Sequence, residues 1–339
     1  MKAIRIHRFG GPENLVLDEV PDPEPGPGQV VIDVGAAVLG HLDVDIMRGV
    51  SRLPFALPHV MGLEAVGRIS ALGPGVTGWA IGDRVLPSII VTCGVCRFCR
   101  GGDDALCVDL RYQGKTFAER MVCEAAHLTR ISMDLPDEQV VAVPTTFGTA
   151  WHMLFTRGNL RFGETVLINS VGSGIGSAAV QLAAGAGARV IGTASSDEKL
   201  AKAADLGMHH GINYRTESVV EQVRKLTGGL GADLVFEHVG GDSFRWGLES
   251  MATNGRMTIC GAHSGEVVPV DLIELFRGQR SVIASFGYSK NEAARCLDLA
   301  ARGAVRPVIH ATYPLAEAAA AVTAMERREN FGRIALVMR

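Results

Sequence analysis

The stretch Val166–Ala183 reads VLINSVGSGIGSAAVQLA. A continuous apolar run, Thr165–Ser170, has the pattern of a strand covered on both faces. Glycine-rich residues follow it, and then an apolar-periodic helix that runs to Ala184. That order lets the backbone approach a pyrophosphate, whose charge then rests at a helix N-terminus. The turn comprises Val171, Gly172, Ser173, Gly174, Ile175 and Gly176. Its glycines fit G-x-G without completing G-x-G-x-x-G, so the turn alone is a weak signal. Its surroundings strengthen it. Predicted strands Arg189–Thr193, Gly211–Asn213, Asp233–Glu237, Gly255–Cys260 and Arg280–Phe286 alternate with predicted helices Asp197–Leu206, Ser218–Leu226 and Ser243–Met251. This alternation is what a doubly wound parallel sheet of the α/β class requires.

The flanks are different. Before about residue 145, β-branched runs at Val30–Val34, Ala65–Ser70, Asp83–Leu86 and Arg120–Cys123 are separated by Pro/Gly clusters, Pro21–Gly28 and Leu72–Asp83. After the sheet pattern, helices Asn291–Arg302 and Leu315–Arg327 and a strand Gly332–Val337 are expected to pack back on this β portion. The expected division is a β domain over 1–146 and 287–339, and a dinucleotide domain over 147–286.

The end of the second strand of the dinucleotide pattern bears on the cofactor. NAD-binding folds usually place an acid there to hold the ribose 2′-hydroxyl. Here the run is IGTASSDEKL, with Ala194, Ser195 and Ser196 at the tip. Lys199 lies one turn into the next helix, and Tyr214 lies just past the third strand. Small hydroxyls and a cation suit a 2′-phosphate that a carboxylate would repel, which favours NADPH. Taken alone, Lys199 is simply a solvated helix residue.

Cys93, Cys96, Cys99 and Cys107 form C-x2-C-x2-C-x7-C within TCGVCRFCRGGDDALC. Four thiolates so closely spaced suit a closed tetrahedral structural zinc. An Fe–S cluster and free thiols are the alternatives that spacing leaves open. Cys123, Cys260 and Cys296 are isolated and read as small buried hydrophobes.

Composition narrows the class further. The chain has 339 residues, a net charge of −3 and 20% charged residues, with no basic run to bind nucleic acid. The opening MKAIRIHRFGGPEN lacks the apolar core of a signal peptide. Gly176–Ala194 reaches membrane-spanning length, but Gln181 and Arg189 interrupt it and it reads as a buried helix followed by a strand. A cytoplasmic protein with no membrane partner is expected.

Together these motifs resemble the medium-chain dehydrogenase/reductase superfamily of zinc alcohol dehydrogenases and quinone oxidoreductases. The resemblance covers essentially the whole chain. It rests on MKAIRIHRFGGPENLVL, on ALGPGVTGWAIGDRV at Ala71–Val85, on the four-cysteine lobe, on Val171–Gly176, on INYR at Ile212–Arg215 and on FGRIAL at Phe331–Leu336. It implies a GroES-like β domain built from both chain ends and carrying the zinc lobe, with a Rossmann domain between them. It also implies a homodimer, or a tetramer of dimers, formed along the Arg280–Phe286 edge.

The chain departs from its zinc relatives where they bind a second, catalytic metal. The family's Cys falls on Gly40 in GHLD, its His on Leu63 in GLE, and its third ligand near Thr145. Gly and Leu offer no lone pair, and Thr is a poor zinc ligand. The resemblance also assigns Thr149, Val239, Cys260 and Gly261 to the nicotinamide and Arg333 to the pyrophosphate, with Glu64 paired to Arg333. His41 and Asp43 are the proton-relay candidates, and for His41 a structural role is equally open. A displaced metal site built from His41, Asp43, His59 and Glu64 is the rival arrangement.

Without a Lewis acid, a simple ketone is hard to polarise, whereas enones, enoyl thioesters and quinones delocalise the charge themselves. The expected activity is therefore NADPH-dependent reduction of an activated C=C or a quinone. A carbonyl reductase or alcohol dehydrogenase with a rearranged site, and a non-catalytic dinucleotide sensor, are the alternatives.

Overall fold

The computed structural model describes residues 1–53 and 55–338. The chain forms two compact units, Met1–Ala142 with Pro307–Arg339, and Val143–Arg306.

In the second unit, six parallel strands lie in the spatial order His210–Asn213, Arg189–Ala194, Thr165–Ile168, Ala232–Glu237, Met251–Ile259, Ser281–Ala284. The central Thr165–Ile168 strand is inaccessible at Val166, Leu167 and Ile168, which is why it reads as an unbroken apolar run. The helices Gly174–Gly185, Asp197–Ala204 and Val219–Leu226 each start on a side-chain cap. The hydroxyls of Ser173, Ser196 and Ser218 accept from Gly176, Lys199 and Glu221 N–H respectively. The order runs outward from Thr165–Ile168 in both directions, so the switch point lies between that strand and Ala232–Glu237.

The first unit is mainly antiparallel. Its long strand Gln29–Leu39 pairs with Glu64–Leu72, with Arg120–Glu124 and with the chain's closing strand Arg333–Val337. The closing strand thus shares a sheet with Gln29–Leu39, while Lys2–Ile6 lies in a separate three-stranded sheet, and Ile4, Leu39, Met61, Phe117, Leu315, Val322 and Leu336 share one core. Burying an aliphatic side chain of this size contributes about 1.5–3 kcal/mol.

Two local features differ from the sequence expectation. The helices His41–Arg48 and Asp137–Val141 stand in the portion read as all β. In His41–Arg48 the inward face includes the acid Asp43 beside Ile46 and Met47, which masks the apolar period. The second unit also extends to Arg306, whereas the expected boundary was 286. Helix Lys290–Ala301 belongs with this unit through Glu292, which binds His152 Nδ1 at 2.9 Å and accepts from Thr156 Oγ1 at 2.5 Å. The strand Ile309–Pro314, the helical stretch Leu315–Glu326 and the closing strand, which pairs with Ile309–Pro314, return to the β unit.

Burial pushes the Glu292 carboxyl up, but the bonds from His152, Ser289 N–H and Thr156 outweigh it and hold the group down at about 2. A lowered carboxyl stabilises the fold above its unfolded value and loses that contribution as pH falls towards about 2. We expect the unfolding free energy to drop by about 1–3 kcal/mol between pH 4.5 and 2. A Glu292→Gln variant should lack that drop, which denaturant titrations at the two pH values would measure.

Candidate functional site

The parallel sheet brings most of the sequence-predicted cofactor residues to one edge. Val171–Gly176, Ser195, Tyr214, Val239 and Cys260–Gly261 each follow the C-terminal end of one strand, and Lys199 lies in the helix after Ser195. Ligands of open α/β sheets bind at this edge.

The glycine-rich turn is tightly drawn. Ser170 takes φ 55° and Val171 N–H donates to Thr193 O at 2.9 Å. A Cβ on Gly176 would lie 2.2 Å from Ser170 O, so the helix can start this close to the strand only with glycine there. Ser173 Oγ also meets His238 Nε2 at 2.8 Å, tying the turn to the residue after the Ala232–Glu237 strand.

A buried polar network that the sequence did not reveal lies beneath this turn. Glu237 is fully buried, and one carboxylate oxygen accepts from Val239 N–H at 2.6 Å, Gly240 N–H at 2.8 Å and Ser243 Oγ at 2.9 Å. Its other oxygen accepts from Asn169 Nδ2 at 2.5 Å. Asn169 Oδ1 in turn accepts from Trp246 Nε1 and from Thr193 Oγ1. A satisfied buried network of this kind fixes the loops it joins; here it fixes Ser170–Val171 and Val239–Gly240. Cys260 N–H donates to Glu237 O, and a Cβ on Gly261 would press on His238 O at 2.3 Å. Burial, with Glu237 adding to it, pushes the Cys260 thiol up to about 12, so it stays protonated.

At the strand tips, Tyr214 N–H donates to Ala194 O, which sets Tyr214 beside the Ser195–Ser196 tip. Its ring stacks on Trp246 with centroids 5.6 Å apart. Two charges that sequence reasoning passed over lie here. Asp197 accepts from Asn213 Nδ2 at 2.9 Å, and Arg215 is exposed just after Tyr214. Thr149 is buried in a single turn of α-helix between two wider π-helical segments, Pro144–Gly148 and His152–Arg157. Such widened turns recur at functional sites.

In the first unit, Asp43, Glu64 and Arg333 form a buried cluster. Arg333 Nη2 donates to Glu64 Oε1 at 2.5 Å, the expected pair. Arg333 Nε is buried with no hydrogen-bond partner among the described residues. Asp43 Oδ2 accepts from Gly40 N–H at 2.8 Å, and Oδ1 is a second buried atom without a partner among the described residues. Burial, with Glu64 adding to it, raises the Asp43 carboxyl to about 7 against the opposing pull of Gly40 N–H and Arg333. Because the folded value lies above the unfolded one, the native state loses stability as pH rises from about 4 to 7. An Asp43→Asn variant avoids that loss. Its unfolding free energy relative to the parent should rise by about 2–4 kcal/mol between pH 4 and pH 8, measured by denaturant titration. His41 is exposed at the start of the same helix.

The three positions that the family resemblance sets against catalytic-metal ligands have other local roles in this structure. Gly40 caps the helix, Leu63 packs in the core with Met61 and Phe117, and Thr145 Oγ1 meets Tyr288 OH at 3.2 Å. His59 lines a different cavity, and the rival set His41, Asp43, His59 and Glu64 does not converge as a ligand group.

The four cysteines do converge. Their sulfurs lie within 4.8 Å of one another, with pairs at 3.5 Å (Cys96–Cys99), 3.6 Å (Cys93–Cys107) and 4.0 Å (Cys93–Cys99). Tetrahedral Zn–S bonds of about 2.3 Å imply S–S edges of about 3.8 Å, so the cradle fits a zinc ion. Cys107 Sγ also accepts from Cys93 and Asp109 N–H, bonds that favour a thiolate. Among the described residues no second cluster of three or more potential ligands accompanies it.

Comparison with known proteins agrees with this geometry. Residues 26–133 match the alcohol dehydrogenase GroES-like domain, and residues 174–302 match the zinc-binding dehydrogenase family. A 2-haloacrylate reductase from Burkholderia sp is 32% identical over 99% of this chain and 98% of its own. An acryloyl-coenzyme A reductase from Metallosphaera sedula is 31% identical over 99% of each chain. The crystal structure of an NAD-dependent alcohol dehydrogenase superposes with a TM-score of 0.95, at 37% identity and full coverage of both chains. No described helix is long and apolar enough to cross a membrane. With both domain types matched and relatives aligned end to end, the chain belongs to the medium-chain dehydrogenase/reductase superfamily of oxidoreductases.

Proposed function

We propose that this protein reduces an activated C=C bond, conjugated to a carboxyl or thioester group, with NADPH as hydride donor and no catalytic zinc; quinones are the second acceptor class. The observation that carries this reading is the chemistry of Gly40, Leu63 and Thr145, the residues that the family resemblance sets against the zinc relatives' metal ligands and that cannot serve as such ligands. The two reductases reported above, whose names specify acrylate-type substrates, support the acceptor class.

When bound, the nicotinamide cofactor supplies a hydride to the β-carbon, leaving an enolate that takes a proton at the α-carbon. The chain's own residues then have separate tasks. The N–H groups of Gly174 and Ile175, at the start of the helix capped by Ser173, hold the pyrophosphate with Arg333. Ser195, Lys199 and Tyr214 hold the 2′-phosphate. Thr149, Val239, Cys260 and Gly261 line the nicotinamide. Asp43 is the proton source, since a carboxyl near 7 is half protonated at neutral pH; His41 is the alternative donor. One structural zinc sits on Cys93, Cys96, Cys99 and Cys107.

A homodimer or tetramer of dimers in the cytoplasm is part of the same proposal. Ser281–Ala284 is an edge strand, and Phe276 and Phe286 near it are 66% and 52% exposed, the kind of edge that proteins cover. The alcohol dehydrogenase likeness favours one rival, NAD-linked alcohol oxidation. Steady-state consumption of NADPH and NADH across acrylates, enoyl thioesters, quinones and simple ketones separates the readings. Turnover confined to the conjugated acceptors supports the proposal. Turnover of ketones alone contradicts it, and tight NADPH binding with no turnover identifies a sensor.

A further inference from the structure

A cavity of about 510 Å³ opens in the β unit, with Arg5, Pro21, Phe55, Pro58, His59 and Lys115 on its walls. This volume is within the range of small-molecule sites, about 300–1,000 Å³. Three basic residues line it and, among the described residues, no acid does. Arg5 is 3.3 Å from Asp18, a carboxylate that His7 also engages at 2.7 Å. The Lys115 ammonium has no ion-pair or hydrogen-bond partner among the described residues. Lys115 also holds φ 68°, a left-handed conformation that side-chain-bearing residues avoid. Phe55 and His59 form an aromatic wall, their rings 4.7 Å apart at 58°.

We propose that this cavity binds a small organic anion, a carboxylate on a flat apolar body, with the charge on Lys115 and Arg5 and the body against Phe55 and Pro58. His59 adds a hydrogen-bonding nitrogen rather than a third charge, because burial and then Lys115 lower its affinity for a proton. The inference is independent of the proposed reaction, since none of these residues has a place in it.

Calorimetric titration of the full-length protein without dinucleotide tests the inference, with benzoate as probe and benzamide as its uncharged counterpart. Benzoate should saturate one site per chain and bind at least about tenfold more tightly than benzamide. Lys115→Met keeps the backbone strain and removes the charge; it should weaken benzoate at least about tenfold with the melting temperature unchanged. Lys115→Gly should weaken it equally without lowering the melting temperature, since glycine accepts the left-handed backbone. Equal binding of benzoate and benzamide, unchanged binding in Lys115→Met, or no saturable binding of benzoate would overturn the proposal.

Discussion

Replacing Gly176 with alanine should abolish useful dinucleotide binding, lowering affinity by about a hundredfold or more, on the order of 3 kcal/mol. The added Cβ would stand 2.2 Å from Ser170 O and 2.9 Å from Ser173 Oγ. Neither neighbour can yield cheaply. Ser170 O already accepts from Ser173 N–H and Ser173 Oγ, and Ser173 Oγ caps the helix through Gly176 N–H itself. The helix start would have to move off the strand end, carrying the pyrophosphate donors with it. Gly185, in the same helix, is the control, because a Cβ there meets nothing within 4 Å. Gly185→Ala should bind dinucleotide normally and be equal or higher in stability, as alanine is the better helix former. Quenching of protein fluorescence by NADPH would measure both.

Lys199→Glu should reverse the choice of cofactor. The parent is expected to favour NADPH, and the variant's ratio of kcat/KM for NADPH over NADH should fall by about ten- to a hundredfold, or about 1.4–2.8 kcal/mol. The reason is local charge. Asp197 already stands at this tip, held by Asn213, so a second acid would leave the 2′-phosphate facing carboxylates. Tyr214→Phe, which keeps the stack on Trp246, should shift the ratio much less. An unchanged ratio in Lys199→Glu would place the 2′-phosphate elsewhere.

The sequence disclosed the parallel sheet because strands buried on both faces must be apolar throughout, as Val166–Ile168 and Leu234–Phe236 are. It disclosed the thiolate cradle because the four ligands lie within one short loop, where spacing stands for distance. The Glu64–Arg333 pair was accessible only through the family resemblance, since 269 positions separate the partners. Other features arise from tertiary structure and leave no pattern along the chain. The Asp43 carboxyl owes its raised affinity for a proton chiefly to burial. The network centred on Glu237 joins residues from two strands, from the turn after a third and from a helix. Helix Lys290–Ala301 was placed with the wrong unit for a similar reason: its tie to His152 and Thr156 spans about 140 residues.

The central claim, hydride delivery without a metal at the reacting centre, is tested most directly by metal stoichiometry on a sample actively turning over an acrylate-type acceptor with NADPH. Elemental mass spectrometry should find one zinc per chain, and Cys96→Ser should displace it, identifying the cysteine lobe as its seat. Two zinc ions per chain, with activity following the one that survives Cys96→Ser, would contradict the account.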